Sequence, residues 1–371
     1  MACSSNVLRG LLCSIVVLSA VTMSFVIPRL GVDVDTFFVG LPKREALNRL
    51  ATFQERIKSM APADRAVYMS LFGAQKCGTT ALSSYLSQHP FVVGPKSTFF
   101  HYRFDDYVKS KGRGTNRSTS IVVDAARAAV VDYFFPVELK ANASVVAIDN
   151  WPDNLFRSVE IAPRVHRTCP LAKIVVMLRD PVERAYSEYF MERGRKRDVR
   201  KMTFEEFIQP DIQLLKKLGV IPEDGRHRFP MNCQSGRQEL RAENITAWVK
   251  YLRSPRAKYH PIGRGLYSIQ LQHLFKEYGL VDVPGERNAN IAVYEYKRLY
   301  QNGSQAAFDQ VVDFLGLPEH TLKSSDHVRV GKYSQSMENT TKQMLQNLFA
   351  PFNCQLPSIL RDKAWIGVWN S

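Results

Sequence analysis

The sequence predicts an α/β fold in which a parallel β-sheet is flanked by helices, and three observations support this prediction. Hydrophobic residues make up 45% of the 371 residues, enough to build a sizeable core. Short apolar runs alternate with amphipathic stretches from Val67 onward, a rhythm typical of a parallel sheet covered on both faces. A glycine-containing turn joins the first run to the first amphipathic stretch. We expect one folded domain at residues 67–371, preceded by N-terminal appendages.

The first appendage is an uncharged stretch of 18 residues, Gly10–Ile27. As a helix it would be about 27 Å long, just enough to cross a bilayer. We expect a signal anchor, with residues 1–9 as a short cytoplasmic tail and the remaining chain in the lumen, a type II orientation. The alternatives are a cleaved signal peptide, whose apolar core is usually shorter, and a buried N-terminal helix.

Residues 28–66 are polar and charged, and we interpret them as a stem between the anchor and the domain. The stem contains Asp33 and Asp35, which are spaced as in a DxD metal motif. A metal site needs a supporting strand and further polar partners, so we expect these two acids to be solvated instead. Apolar residues at helical spacing also occur in the stem: Leu47, Leu50, Phe53 and Ile57.

Five N-glycosylation sequons follow the anchor and indicate a lumenal domain. The cysteines are too few and too scattered for a disulfide scaffold or a CxxC metal site. One disulfide among Cys169, Cys233 and Cys354 fits an oxidising compartment, but the pairing is open. The asparagines of the sequons are Asn116, Asn142, Asn244, Asn302 and Asn339.

The domain begins with an apolar strand, a glycine-containing turn and an amphipathic helix at Thr80–Ser87. Three further apolar runs are predicted as parallel strands, with helices between them. The four predicted strands are Val67–Phe72, Ser144–Ile148, Lys173–Leu178 and Asn290–Tyr294.

The turn Gly73–Thr80 is the first candidate binding element. It joins a buried strand to a helix, where unpaired backbone N–H groups and the helix dipole attract phosphate. It is not a Walker A loop, because GxxxxGK[ST] would place the lysine at position 79 rather than at Lys76. The sequence therefore predicts a P-loop-like phosphate site, against the alternative of an ordinary glycine-rich turn.

A second candidate element follows the strand Lys173–Leu178. Arg179 lies directly after this strand, and a helix with Pro181 at its start carries Ser187 two turns later. Ligands of parallel sheets bind at the carboxyl ends of the strands. We therefore expect Arg179 and Ser187 to bind a second phosphate at the same edge.

These two segments resemble the nucleotide signatures of the sulfotransferase family. The loop with Lys76 resembles the PKxGTT loop for the 5′-phosphosulfate of 3′-phosphoadenosine 5′-phosphosulfate (PAPS), and the segment from Arg179 resembles the RDPxxRxxSxY motif for its 3′-phosphate. The resemblance extends through most of residues 67–360. It is greatest for the membrane-bound carbohydrate sulfotransferases of the heparan and chondroitin type.

The resemblance implies that PAPS is the sulfuryl donor and that no metal is needed. Arg264–Leu271 resembles the family's GxYxxQL stretch, which implies nucleotide binding by Tyr267. Lys332 lies where related chains have a loop that closes over the nucleotide. The residues implied around the phosphosulfate are Lys76, Cys77, Gly78, Thr79 and Thr80, and those implied on the 3′-phosphate are Arg179 and Ser187.

The chain departs from the family at the general base. Many carbohydrate sulfotransferases have a glutamate after the second strand, where this chain has Lys96 and Ser97. Neither is a good base near neutral pH. We expect His101 to take the proton from the acceptor, with Asp149 as the alternative.

The net charge is +15, which favours a polyanionic partner. A basic run follows the Ser187 helix at residues 193–201 and could line a cleft for an anionic glycan, or be a solvated loop. No nucleic-acid motif accompanies the charge, so we do not expect nucleic-acid binding.

These features predict PAPS-dependent sulfuryl transfer to a hydroxyl or amine of a carbohydrate in the Golgi lumen, by a membrane-anchored protein. A secreted protein is the second expectation for location. The alternative functions are an ATP-dependent P-loop kinase and an inactive relative that binds glycan or nucleotide.

Overall fold

The computed structural model of the chain describes residues 43–96, 100, 103–105, 119–135, 145–222, 242–255, 258–279, 290–324 and 336–369. Within these residues, five strands form one parallel sheet in the order β2-β3-β1-β4-β5. The predicted α/β class is confirmed. The strands are β1 (Met69–Gly73), β2 (Val92–Lys96), β3 (Val146–Asn150), β4 (Lys173–Leu178) and β5 (Ile291–Glu295).

Helices connect and cover these strands. The helices before β4 are α1 (Lys43–Ser59), α2 (Pro62–Ala66), α3 (Thr79–Leu86), α4 (Thr119–Phe134) and α5 (Ser158–Thr168). Those between β4 and β5 are α6 (Pro181–Arg195), α7 (Phe204–Lys217), α8 (Ala242–Leu252) and α9 (Tyr267–Glu277). Those after β5 are α10 (Tyr296–Leu299), α11 (Gly303–Leu315), α12 (Asn339–Asn353) and α13 (Leu356–Leu360).

The centre of the sheet is fully buried. β1 is buried along its whole length, and β4 is buried from Ile174 to Leu178. Such continuous apolar strands are expected where helices cover both faces of a sheet. The order of the strands places the carboxyl end of β1 between the corresponding ends of β3 and β4.

Helix α1 belongs to the core of the domain. Leu50, Phe53 and Ile57 are buried in the same apolar cluster as the central strands. Arg56 on the same helix donates a hydrogen bond of 2.7 Å to the Gly316 carbonyl. The apolar spacing in the stem therefore correctly indicated a helix. This helix packs against the domain, although we had expected residues 28–66 to be a separate stem.

A second apolar cluster lies around α6 and holds this helix in place. It is built from helices α6, α7, α8 and α12 and from the loop after β3. Helix α7 begins at a capping box in which the side chains of Thr203 and Glu206 bond each other's backbone N–H groups. The buried aromatic residues of this cluster include Phe156, Tyr189, Phe207, Trp248, Tyr251 and Phe349.

No helix among the described residues is long and apolar enough to cross a membrane. The expected anchor at 10–27 and the Asp33–Asp35 pair lie outside those residues. Cys77 and Cys169 are free and buried, whereas Cys354 is in a disulfide. Of the three cysteines considered for a disulfide, Cys169 is thus excluded.

Candidate functional site

The site lies where the loop after β1 meets the turn after β4. The backbone N–H of Ala74 donates to the Met177 carbonyl at 2.7 Å, which ties the loop to β4. The first residue past each strand is therefore presented at the same edge of the sheet. This edge brings together Lys76 and Arg179, as the two sequence motifs predicted.

The loop after β1 is shaped by backbone conformations that few residues adopt. Lys76 and Gly78 have φ angles of +71° and +83°, in the left-handed region. A Cβ on Gly78 would lie 2.7 Å from the Tyr296 ring, so only glycine fits there. Tyr296 directly follows β5, and the sequence motifs did not point to it.

Helix α3 begins immediately after Gly78 and points its first turn into the site. The early N–H groups of a helix have no partner within the helix, which makes this end suited to an anion. Thr79 is buried and Thr80 is exposed. Cys77 is fully buried, its N–H bonds the Ala74 carbonyl, and burial raises the pKa of its thiol to about 11. Cys77 thus packs under the loop and does not offer a thiolate.

Lys76 is half-buried among other cations. Burial lowers the pKa of its ammonium, and the guanidinium groups of Arg195, Arg179 and Arg184 lower it further, while Glu188 opposes them. Positive groups gathered in this way attract an anion more strongly than one exposed lysine does. The alternative of an ordinary surface lysine in a glycine-rich turn does not fit this environment.

The turn after β4 is held by side chains. Asp180 caps α6 by accepting hydrogen bonds from the N–H groups of Val182 (2.8 Å) and Glu183 (3.2 Å). Arg179 donates to Glu183 from Nε and Nη2 at 3.1 and 3.0 Å. Its guanidinium also lies over the Tyr296 ring, 5.6 Å from the centroid.

Ser187 lies two turns into α6 and is buried. It is on the same helix as Glu183 and between the buried residues Arg184 and Glu188. The cap at Asp180 fixes where this helix starts, so it also fixes the place of Ser187 relative to Arg179. Ser187 is therefore held on this helix, and Arg179 lies two residues before the helix begins.

Tyr267 contacts both the loop after β1 and the turn after β4. Its hydroxyl donates to the Arg179 carbonyl at 2.9 Å and lies 3.8 Å from the Cys77 sulfur. The side chain is buried. The structure thus gives Tyr267 contacts to both segments, and its implied contact with the nucleotide stays a prediction.

A buried ion network supports this edge, and the sequence motifs did not reveal it. Glu188 accepts from Arg184 Nη1 and from Arg264 Nη1, both at 2.7 Å. Arg264 also donates to Asp153 from Nε (2.9 Å) and Nη2 (3.2 Å). The signal available in the sequence was the Arg184 and Glu188 pair at helical spacing, but Arg264 and Asp153 come from distant segments.

Asp149 lies at the end of β3 and is buried. Its Oδ2 accepts hydrogen bonds from the Ser70 hydroxyl at 2.5 Å and from Asn154 Nδ2 at 3.0 Å. Burial raises the pKa of Asp149 to about 6, although both hydrogen bonds oppose the rise. The backbone of Lys96 pairs with Asp149 in the register of β2 and β3.

The other sequence candidates fall elsewhere. His101, Ser97 and Lys332 lie outside the described residues. Within the described ranges, no group of three or more His, Cys, Asp or Glu side chains is arranged to hold a metal ion.

Comparison with known proteins points to one family. Residues 70–218 match the model described as "Sulfotransferase family", a range that includes Lys76, Arg179 and Ser187. A mouse protein, bifunctional heparan sulfate N-deacetylase/N-sulfotransferase 3, is 28% identical over 170 residues, which cover 43% of this chain and 18% of that protein. The bovine N-deacetylase/N-sulfotransferase 2 is 32% identical over 154 residues, covering 40% of this chain and 16% of that protein.

The chain spans less than a fifth of the length of these curated relatives. A solved structure, a sulfotransferase from Alicyclobacillus acidocaldarius, aligns with a TM-score of 0.48 and 20% identity, covering 81% of this chain and 98% of that one.

Proposed function

We propose that this chain, whose residues 70–218 match the sulfotransferase family, transfers a sulfuryl group from PAPS to a carbohydrate hydroxyl or amine. The observation that carries the proposal is the pairing of two anion-binding elements at one sheet edge. One element presents Lys76 in a left-handed loop, and the other presents Arg179 and Ser187 from a capped helix. A nucleotide with phosphates at both its 5′ and 3′ positions fits two such elements.

The residues present suit PAPS. The loop leads into the first turn of α3, whose early N–H groups have no partner within the helix and can bind a phosphate. The loop, Lys76 and Thr80 would hold the phosphosulfate, while Arg179 and Ser187 would hold the 3′-phosphate. When bound, PAPS supplies the activated sulfuryl group and leaves as adenosine 3′,5′-bisphosphate.

Lys76 performs the main electrostatic role in this proposal. Negative charge builds on the leaving phosphate as the sulfur–oxygen bond breaks, and a fixed cation there stabilises the transition state more than the ground state. The ammonium must be protonated to do so. Burial, and then the surrounding guanidinium groups, lower its pKa, so activity should fall at a lower pH than for an ordinary lysine.

The general base remains a choice between His101 and Asp149, and the structure supports a positioning role for Asp149. Its Oδ2 is held by Ser70 on β1 and by Asn154 in the following loop. The bond from Ser70 joins β3 to β1, the strand that precedes the loop with Lys76. We therefore keep His101 as the proposed base.

Two variants test this assignment. His101→Ala should lower kcat by about 10²–10⁴-fold while nucleotide affinity is kept. Asp149→Asn should retain most of kcat if Asp149 only positions β3. The reverse pattern would make Asp149 the base, with an acid limb near its raised pKa.

The proposed acceptor is an anionic glycan. The basic run at residues 193–201 begins in the last turn of α6 and is exposed from Gly194 to Asp198. Its one acid, Asp198, is paired with Lys258 at 2.6 Å, which leaves the run with an excess of positive charge next to the Lys76 site. Relatives with heparan sulfate in their names also support a glycan acceptor.

We propose a Golgi membrane location with the domain in the lumen. Asn302 and Asn339 are exposed, as glycosylated asparagines must be, and the disulfide at Cys354 fits an oxidising compartment. Endoglycosidase should increase the electrophoretic mobility of the expressed chain, and alkaline carbonate should leave it in membranes. An unchanged mobility with release into the soluble fraction would contradict this location.

The activity itself is tested with the detergent-solubilised full chain and radiolabelled PAPS. The acceptor panel should contain desulfated heparan and chondroitin chains, proteins and small alcohols, with EDTA in the PAPS assays and Mg²⁺ in a parallel assay with radiolabelled ATP. We expect label in a glycan. Phosphate transfer from ATP that requires Mg²⁺ would instead indicate a kinase, and nucleotide binding without turnover would indicate an inactive relative.

A further inference from the structure

Glu183 lies between two cations that reach it from neighbouring strands. Its Oε2 accepts from Arg179 Nε and Nη2, and its Oε1 accepts from Lys297 Nζ at 2.7 Å. Arg179 directly follows β4, and Lys297 lies two residues past the end of β5. Because the last residues of β4 and β5 are paired in parallel register, the sheet delivers both cations to the same place.

The side chains of Arg179 and Lys297 differ in exposure and packing. The Arg179 side chain is only 18% exposed and is packed against Tyr296, so its guanidinium has a fixed orientation. The Lys297 side chain is 63% exposed, and its ammonium sits on a flexible four-carbon stem. An exposed ion pair of this kind contributes little to stability, so exchange of its partner costs little.

The charges favour such an exchange. Burial would raise the pKa of Glu183, but Lys297 and Arg179 together hold it below its ordinary value. The carboxylate therefore stays ionised, yet it carries one negative charge for two cations. A phosphate dianion at the same place has more charge, and its oxygens are spaced about as widely as those of a carboxylate.

We propose that Lys297 is a second cation of the 3′-phosphate subsite and leaves Glu183 for a phosphate oxygen when the nucleotide binds. Glu183 then keeps its bonds to Arg179 Nε and Nη2, which orients the guanidinium so that its remaining N–H groups face the phosphate. Lys297 acts as a point charge beside this oriented group. This inference rests on the proposed function and adds a residue that neither sequence motif contains.

The experiment compares two nucleotides on the full chain. The dissociation constants of adenosine 3′,5′-bisphosphate and of adenosine 5′-monophosphate are measured by calorimetry, since only the first has a 3′-phosphate. The variants are Lys297→Met, which keeps the apolar stem, and Lys297→Arg, which keeps the charge. The matched control is Lys217→Met, which removes an exposed charge at the end of α7.

We expect Lys297→Met to weaken the bisphosphate by about tenfold, the effect of one charge-assisted contact. The monophosphate should change less than twofold, Lys297→Arg should retain most of the affinity, and the control should match wild type. If Lys297 only pairs with Glu183, Lys297→Met will leave both nucleotide affinities unchanged. That result, or equal weakening of both nucleotides, would overturn the inference.

The same data separate this inference from the proposed function. A wild-type chain that binds neither nucleotide overturns both. A wild-type chain that binds the bisphosphate tightly, with Lys297→Met indistinguishable from it, overturns the role of Lys297 alone.

Discussion

The loop after β1 and the turn after β4 lie side by side, but different forces hold them. In the loop, backbone conformation dominates: Lys76 and Gly78 are left-handed, and Tyr296 closes the space beside Gly78. In the turn, side-chain charges dominate, because Asp180 caps α6 and Glu183 pairs with Arg179 and Lys297. The loop should therefore be insensitive to salt but sensitive to an added side-chain carbon. The charge pairs of the turn should accept changes in side-chain volume but weaken at high salt.

The loop and the turn are therefore suited to different roles in the proposed reaction. A loop held by its backbone keeps one cation fixed in a semi-buried position, which is what stabilisation of a transition state requires. A turn held by exchangeable charges can bind an anion by replacing one partner with another. We therefore expect changes in the loop to act on kcat and stability, and changes in the turn to act on nucleotide affinity.

Among changes in the loop and in the turn, the largest expected effect is the loss of turnover when Lys76 in the loop is replaced. Lys76→Met should lower kcat by about 10²–10³-fold, because it removes the cation that we propose faces the leaving phosphate. Affinity for adenosine 3′,5′-bisphosphate should fall much less. Steady-state kinetics with PAPS and calorimetry with the bisphosphate check this, and Lys217→Met is again the control. A loss that appeared only in KM would show that the loop and the turn do the same work.

The next effect is on stability. Gly78→Ala should destabilise the domain by about 1–3 kcal/mol, because alanine is strained at a positive φ and its Cβ meets Tyr296. Gly194→Ala, in α6 with nothing within 4 Å of its Cβ, should be neutral or stabilising by up to about 1 kcal/mol. Urea denaturation of the two variants gives the comparison. Equal stabilities would mean that backbone strain does not hold the loop.

A smaller effect is expected in the turn. Arg179→Ala should weaken adenosine 3′,5′-bisphosphate by about 10–100-fold and adenosine 5′-monophosphate by only a few-fold. The loss should shrink at high salt, since charge pairs are screened. Calorimetry at two salt concentrations checks both points. Equal weakening of the two nucleotides would remove the assignment of Arg179 to the 3′-phosphate.

The smallest effect concerns pH. Lys76 must be protonated, so kcat should fall as pH rises through its pKa, which burial and then Arg195 lower from the ordinary value. Arg195→Gln removes one of the lowering charges, so the alkaline limb should move to higher pH. Arg197→Gln, in the same exposed run, should leave the limb in place. A limb that did not move in Arg195→Gln would show that Arg195 does not act on Lys76.

Local motifs explain how much of the site could be predicted. Lys76, Gly78, Arg179 and Ser187 lie in two short segments where strand, turn and helix follow each other directly, and the structure places them at one sheet edge. The resemblance to sulfotransferases that rested on these segments is confirmed. The general base was harder to predict, because His101 and Asp149 come from separate segments. Neither motif determines where these two residues lie relative to Lys76.

The amino-acid sequence by itself determined the α/β class, the strand-to-helix turns and the cations in them, because these depend on residues close together in the chain. Only the tertiary structure decided that β5 pairs with β4, and thus that Tyr296 packs on Gly78 and Lys297 reaches Glu183. It also decided that Arg264 joins Glu188 and that α1 enters the core. The physical reason is that such pairs depend on strand order and on the packing of distant apolar faces, which no local spacing encodes.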